Sequence, residues 1–233
     1  MKFEDKFLDS IVDEALRDMS LSKKSRKLDE AYVVQTKKFN VKTESLSEKS
    51  KKAHQELLDG YVNALNDISA RLDTADRDSA NPNNSTFRNL KIDETYNINA
   101  TFLHGMFFDN VGSLSSRIAV DSLSHMKIAR DWGDFNNWQK DFIACGLSAR
   151  NGWVVTCYNT FLKRYINIVV DLHASNVPFG CTPVIVVDCW EHTYYKDFLK
   201  DRKSYIFAMM QELDWEKIEE RFEKAERVAK VYA

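Results

Sequence analysis

Four consecutive apolar residues, Val184-Ile185-Val186-Val187, run directly into Asp188-Cys189-Trp190-Glu191-His192-Thr193-Tyr194-Tyr195. A short β-branched run of this kind reads as a buried strand, and the end of such a strand is a rigid place. The Asp188 carboxylate and the His192 imidazole stand four residues apart just beyond it, so both can turn toward one metal ion. A carboxylate with a neutral imidazole suits iron, manganese or zinc. By itself such a pair is often no more than two satisfied polar groups.

The rest of the chain supplies a plausible setting. Leu57, Leu58, Tyr61, Val62, Leu65, Ile68 and Leu72 follow a 3.6-residue period and predict a long helix over 44–73. Asn81-Pro82-Asn83-Asn84-Ser85 is a loop. Tyr96, Ile98, Phe102, Leu103, Met106, Phe107 and Phe108 predict a second helix over 95–112, and short aromatic-rich helical segments follow to about 148. The segments 153–158, 165–172 and 182–189 are β-branched and aromatic, separated by turns, and read as three strands. Residues 194–231 are helical again. At the other end, Phe3, Phe7, Leu8, Ile11, Val12, Ala15, Leu16 and Met19 define an amphipathic helix over 1–20, followed by a polar, basic stretch.

With 233 residues, 44% of them hydrophobic and 29% charged, the chain can bury a core as one large domain or two small ones. Its net charge of −2 makes no electrostatic case for a nucleic-acid or membrane partner. Cys145, Cys157, Cys181 and Cys189 lie in or beside apolar segments with no CxxC pair, and read as reduced thiols. Early acidic residues (Glu4, Asp5, Asp9) argue against a secretory or transit peptide, so an intracellular setting is expected.

Several further motifs appear in order. His104-Gly105-Met106-Phe107-Phe108 lies in the second helix, and Asp131-Trp132-Gly133-Asp134-Phe135 precedes a helical run. Ser148-Ala149-Arg150-Asn151-Gly152-Trp153 opens the first strand, and Arg202-Lys203-Ser204-Tyr205 and Asp214-Trp215-Glu216 follow the 188–195 segment. Together they resemble the iron/manganese superoxide dismutases, whose signature is Asp-x-Trp-Glu-His-x-Tyr-Tyr, over roughly residues 39–225. The resemblance implies an α+β fold: a helical hairpin (39–112), then an α/β domain with a three-stranded antiparallel sheet (113–233). Residues 1–38 would be an amphipathic and charged extension.

The resemblance also implies roles. His54, His104, Asp188 and His192 would ligate one iron or manganese per chain. His173 would hydrogen-bond the solvent at that metal and Tyr61 would donate from the substrate gate, both serving turnover, with superoxide as substrate. Trp153 and Trp190 would wall the site, while Glu191 and Tyr195 would reach toward a partner subunit. Three positions depart from the family. Its first His stands eight residues before a Tyr-Val pair; here the pair is Tyr61-Val62, and eight back is Ala53, with His54 its neighbour. His54 is therefore expected to reach the site only if the helix is over-wound or shifted. Leu57 stands where a second His belongs, which removes half of the usual dimer bridge and predicts slower turnover. Ala100 replaces one of the family's two sources of a Gln or His at the metal-bound solvent, leaving His173, fifteen residues before Asp188, as the other.

Two functions fit. One is a dismutase enzyme. The other is a non-catalytic component of a large assembly, such as a virion or mitochondrial ribosome, that keeps the fold. The amphipathic helix at the N-terminus could pack on its own domain, but it is expected to dock on another copy or on a larger protein assembly, which favours the second function.

Overall fold

A computed structural model describes residues 31–112 and 114–232; the amphipathic helix expected over 1–20 lies outside the described residues. Within them the order is α1 (Glu48–Asp73), α2 (Thr86–Asn110), α3 (Leu123–Trp132), α4 (Phe135–Ser148), β1 (Gly152–Asn159), β2 (Arg164–Asp171), β3 (Cys181–Asp188), α5 (Glu191–Phe198), α6 (Arg202–Gln211) and α7 (Trp215–Val231). This is the expected α+β arrangement, a helical hairpin followed by a three-stranded antiparallel sheet with helices. No helix among the described residues is long and apolar enough to cross a membrane.

Three boundaries differ from expectation. α1 starts at Glu48, capped by Ser47, rather than at 44. The preceding residues are held instead by the buried Glu212 carboxylate, which accepts from Thr43 Oγ1, Ser45 Oγ and the backbone N–H groups of Glu44 and Ser45. α2 starts at Thr86 rather than 95, because Ser85 caps it by accepting from Arg88 N. Its first eleven residues bury only Leu90, so no apolar stripe announced them. The C-terminal helical stretch is three helices, broken at Leu199, whose φ is 51°, and at the Asp214 cap of α7.

α1 and α2 run antiparallel. His54 meets Phe108, Tyr61 meets Tyr96 and His104, and Ile68 and Leu72 close on Leu90 at the far end. Residues 32–39 lie along this hairpin: Tyr32 N donates to Ser69 Oγ, Val34 pairs with the Asn66 side chain, and Phe39 packs on Phe108.

The sheet has the order β2-β1-β3, with both outer strands antiparallel to β1. β1 is buried along its whole length. α4 covers one face, where Trp138 Nε1 donates to Thr156 Oγ1, and the hairpin covers the other through Trp153 against His104. Burial on both faces is why β1 and the end of β3 read as continuous apolar runs rather than alternating ones. This topology brings the start of β1 and the ends of β2 and β3 to one edge. Trp153 pairs directly with Asp188, and Gly152 with Asp171, two residues before His173.

Candidate metal centre

Asp188 is fully buried at the end of β3. Its Oδ1 accepts from Trp190 N at 2.8 Å, turning the chain into α5, and its backbone carbonyl accepts from Tyr205 Oη at 2.7 Å. Oδ2 is left facing inward. His192, in the first turn of α5, brings Nε2 to 3.4 Å from Oδ2. His104, on the buried face of α2, brings Nε2 to 3.7 Å, and His54, on α1, to 3.1 Å. One ligand atom from each of the four residues lies within 4.8 Å of all the others. Bonds of about 2.0–2.2 Å to a shared ion require separations of this order.

His54 corrects the expected distortion. α1 is regular α-helix through the whole of Ala53–Tyr61, and His54 is nevertheless buried against the rings of His104 and His192. The physical reason is the helical repeat. Seven residues turn about 700°, some 20° short of two full turns, whereas eight would overshoot by about 80°. The seven-residue spacing thus places His54 and Tyr61 on one face with no over-winding.

The donor set fits a cation. His104 Nδ1 lies 2.7 Å from the Ala100 carbonyl, which can only accept, so Nδ1 carries the proton and Nε2 presents a lone pair. That lone pair and the acceptor Oδ2 face each other in a buried space, and neither His104 Nε2 nor His192 Nε2 has a hydrogen-bond partner. Opposed acceptors of this kind are stable only around a positive charge. Burial alone would raise the Asp188 carboxyl, but the His192 and His54 imidazoles beside it outweigh burial and hold it well below the usual carboxylate range. Burial lowers His54 below its ordinary value, and burial together with the neighbouring His54 lowers His104 to about 3. The set is three imidazoles, of which burial keeps His54 and His104 neutral, and one carboxylate.

His173 reaches the site through a kink. Leu172 adopts φ 57°, rare for a branched residue, and redirects the chain after β2 so that His173 is fully buried. Asp171 pins the turn, accepting from Arg150 N and Asn176 Nδ2. Trp153 Nε1 donates to His173 Nδ1 at 3.0 Å, and an indole N–H can only donate. The His173 proton therefore sits on Nε2, which lies 3.0 Å from Tyr61 Oη and donates to it. Burial lowers His173 to about 4 and pushes the half-buried Tyr61 hydroxyl upward, so both stay neutral. Trp153 and Trp190 stand against the cluster, with Trp190 stacked on His173 at 5.1 Å.

Glu191 and Tyr195 do not join the cluster. Both are exposed, and with Ala53, His54, Leu57, His192 and Lys196 they line an open cavity of about 370 Å³ on its outer side. Two contributors went unforeseen. Tyr96 packs its ring 4.7 Å from His173 and 6.3 Å from Tyr61; its place on the predicted second helix was the only sequence signal. Tyr205 was visible within a motif, but not as the donor to the Asp188 carbonyl.

These shifts predict an acid-sensitive metal-free protein. In the unfolded chain His104 and His173 take up protons near the ordinary value of 6.5, which the folded chain refuses down to about 3 and 4. Their contribution is complete above about pH 7 and is lost as pH falls through that window. Denaturant midpoints of metal-free protein should fall between pH 7 and 4, and His104→Gln should flatten the fall.

Comparison with known proteins agrees with this geometry. Residues 121–221 match the family model for the C-terminal domain of iron/manganese superoxide dismutases. The chain is 33% identical over 166 residues to manganese superoxide dismutase 1 of Halobacterium salinarum, covering 71% of this chain and 80% of that protein. It is 33% identical to the iron superoxide dismutase of Aquifex aeolicus (71% and 78% covered). The iron superoxide dismutase of Cupriavidus metallidurans is 34% identical over 189 residues (80% and 93% covered). The chain belongs to the iron/manganese superoxide dismutase family. Its named relatives include both iron and manganese proteins, and its own three-His, one-Asp cluster is compatible with either metal.

Proposed function

We propose that this protein disproportionates superoxide to oxygen and hydrogen peroxide at one iron or manganese held by His54, His104, Asp188 and His192. The observation that carries this reading is the convergence of those four donors, three of them buried residues and two with unpartnered nitrogens, at one point. A metal held by these four residues would supply a one-electron couple for the disproportionation. The surrounding residues do the rest. Asp188 offsets the metal's charge and keeps the three imidazoles aimed inward. Trp153, Trp190, Phe107 and Phe108 exclude bulk water. His173 holds its Nε2 proton on Tyr61 Oη, so Tyr61 accepts there and keeps its own proton for donation. Glu191 and Tyr195, outward-facing beside His192, would meet a second copy across the open cavity, although Leu57 offers that bridge no polar group. The assembly-component alternative has no observation of its own in the described residues.

The test is superoxide decay after loading with iron or manganese. Decay should accelerate in proportion to bound metal, and His104→Ala should abolish both. Metal-loaded protein that leaves superoxide decaying at its uncatalysed rate would overturn the proposal. Tyr61→Phe should retain the metal and slow turnover by less than roughly 100-fold, the low end for a lost proton donor, since His173 and Tyr96 remain. Unchanged turnover would remove Tyr61 from the proton path.

A further inference from the structure

At the opposite edge of the sheet from the metal centre, β1 ends and β3 begins, and two of the four cysteines meet there. Cys157 and Cys181 share one face as diagonal neighbours, since Asn159 pairs with Cys181 and Cys157 with Pro183. A register shift lies beside them, between Thr156 and Cys157. Their sulfurs are 3.1 Å apart, so about 1 Å of approach separates them from a bond of roughly 2.05 Å. Both are free thiols; Cys157 is fully buried and Cys181 half-buried. The Cys157 S–H donates to Cys181 Sγ, and Asn159 Nδ2 donates to the same sulfur at 3.3 Å. Two donors on one sulfur favour its thiolate. The Cys157 hydrogen bond first, and that from Asn159 after it, lower Cys181 below the ordinary thiol range. The other two cysteines differ. Burial raises Cys145 to about 11 and Cys189 higher still.

We propose that Cys157 and Cys181 form a hydroperoxide-reactive dithiol that closes as a disulfide between β1 and β3. The Cys181 thiolate attacks one oxygen of hydrogen peroxide; the O–O bond breaks, an S–O bond forms, and the departing hydroxide takes a proton from solvent to become water. Cys157 then attacks the sulfenic sulfur. The S–S bond forms, the S–O bond breaks, and the leaving hydroxide takes the Cys157 proton as the second water. In sum, two thiols and one hydrogen peroxide become one disulfide and two waters. No metal takes part, and peroxide from any source serves; on the proposed function, this chain's own reaction yields it. Cys157 is four residues along β1 from Trp153, roughly 13 Å, so the disulfide forms without touching the metal centre.

The experiment exposes the reduced intact chain to added hydrogen peroxide, quenches with an alkylating agent and reads masses, independently of dismutase activity. Two of the four thiols should be lost together, with a peptide linking Cys157 to Cys181 that a thiol reductant opens. Cys181 should react roughly tenfold or more faster than Cys145, as the thiolate fractions require. Cys157→Ser should stop at a Cys181 sulfenic acid trapped by a dimedone-type probe, and Cys181→Ser should leave Cys157 unoxidised. Oxidation that falls first on Cys145 or Cys189, a link between two chains, or Cys181 oxidised beyond sulfenic acid without a Cys157 link would overturn the proposal.

Discussion

Asp188→Ala should empty the centre of metal while leaving a folded chain. Oδ2 is the one atom that approaches all three imidazole nitrogens, at 3.1, 3.4 and 3.7 Å, and it brings the only negative charge in the cluster. Loss of a residue that merely supports a metal ligand typically costs about 10–100-fold in affinity, and removing the anionic ligand should cost more. The fold has less at stake. Losing Oδ1 strands the Trp190 N–H, a penalty of about 1–3 kcal/mol, but it also removes the opposed lone pairs of the metal-free site. Metal per chain after equilibration with a weak chelator, measured beside a thermal melt, separates the two effects. An Asp188→Ala protein that keeps the parent's metal would place the ion elsewhere.

Gly152→Ala should damage the fold more than any change in the cluster. A Cβ built at Gly152 would stand 1.9 Å from the Val170 carbonyl oxygen and 2.9 Å from Asp171 Cα. Both are backbone atoms, so no side chain can swing away, and β1 must separate from β2 where Gly152 pairs with Asp171. His173 follows two residues later, so the Trp153–His173–Tyr61 chain of hydrogen bonds should fail too. A loss on the order of 4 kcal/mol, or failure to fold, is expected, among the largest effects of single substitutions. Gly60→Ala is the control. It lies within α1 with no atom within 4 Å of the added Cβ, and there Ala should stabilise by about 0.5–1 kcal/mol. Chemical denaturation of both decides it, and a mild Gly152→Ala would mean that β1 and β2 sit further apart.

The centre was legible where chemistry and period coincide. Val184–Val187 announced a buried strand, and Asp188 with His192 announced what lies at its end, because strand burial and ligand type are both local properties. His104 was named only through the family resemblance of His104-Gly105-Met106-Phe107-Phe108, since nothing local marks it as a ligand. His54 was named but misjudged: counting against the family's eight-residue spacing suggested a distorted helix, while the helical repeat alone shows that seven suffices. The start of α2 was hidden because its first turns bury only Leu90, and the start of α1 because Glu212, far along the chain, holds residues 43–45. Tyr96 and the Cys157–Cys181 contact were hidden for the same reason. Each depends on which residues meet across elements, and in the cysteines' case a register shift that no propensity encodes lies beside the contact.

The most direct measurement is metal analysis of the intact, metal-loaded chain combined with X-ray absorption at the metal edge. The geometry predicts one iron or manganese per chain, bound by three imidazole nitrogens and one carboxylate oxygen, and lost in Asp188→Ala and His104→Ala. A chain that retains no transition metal, or one whose metal has sulfur neighbours and survives both substitutions, would contradict the assignment of His54, His104, Asp188 and His192 as its ligands.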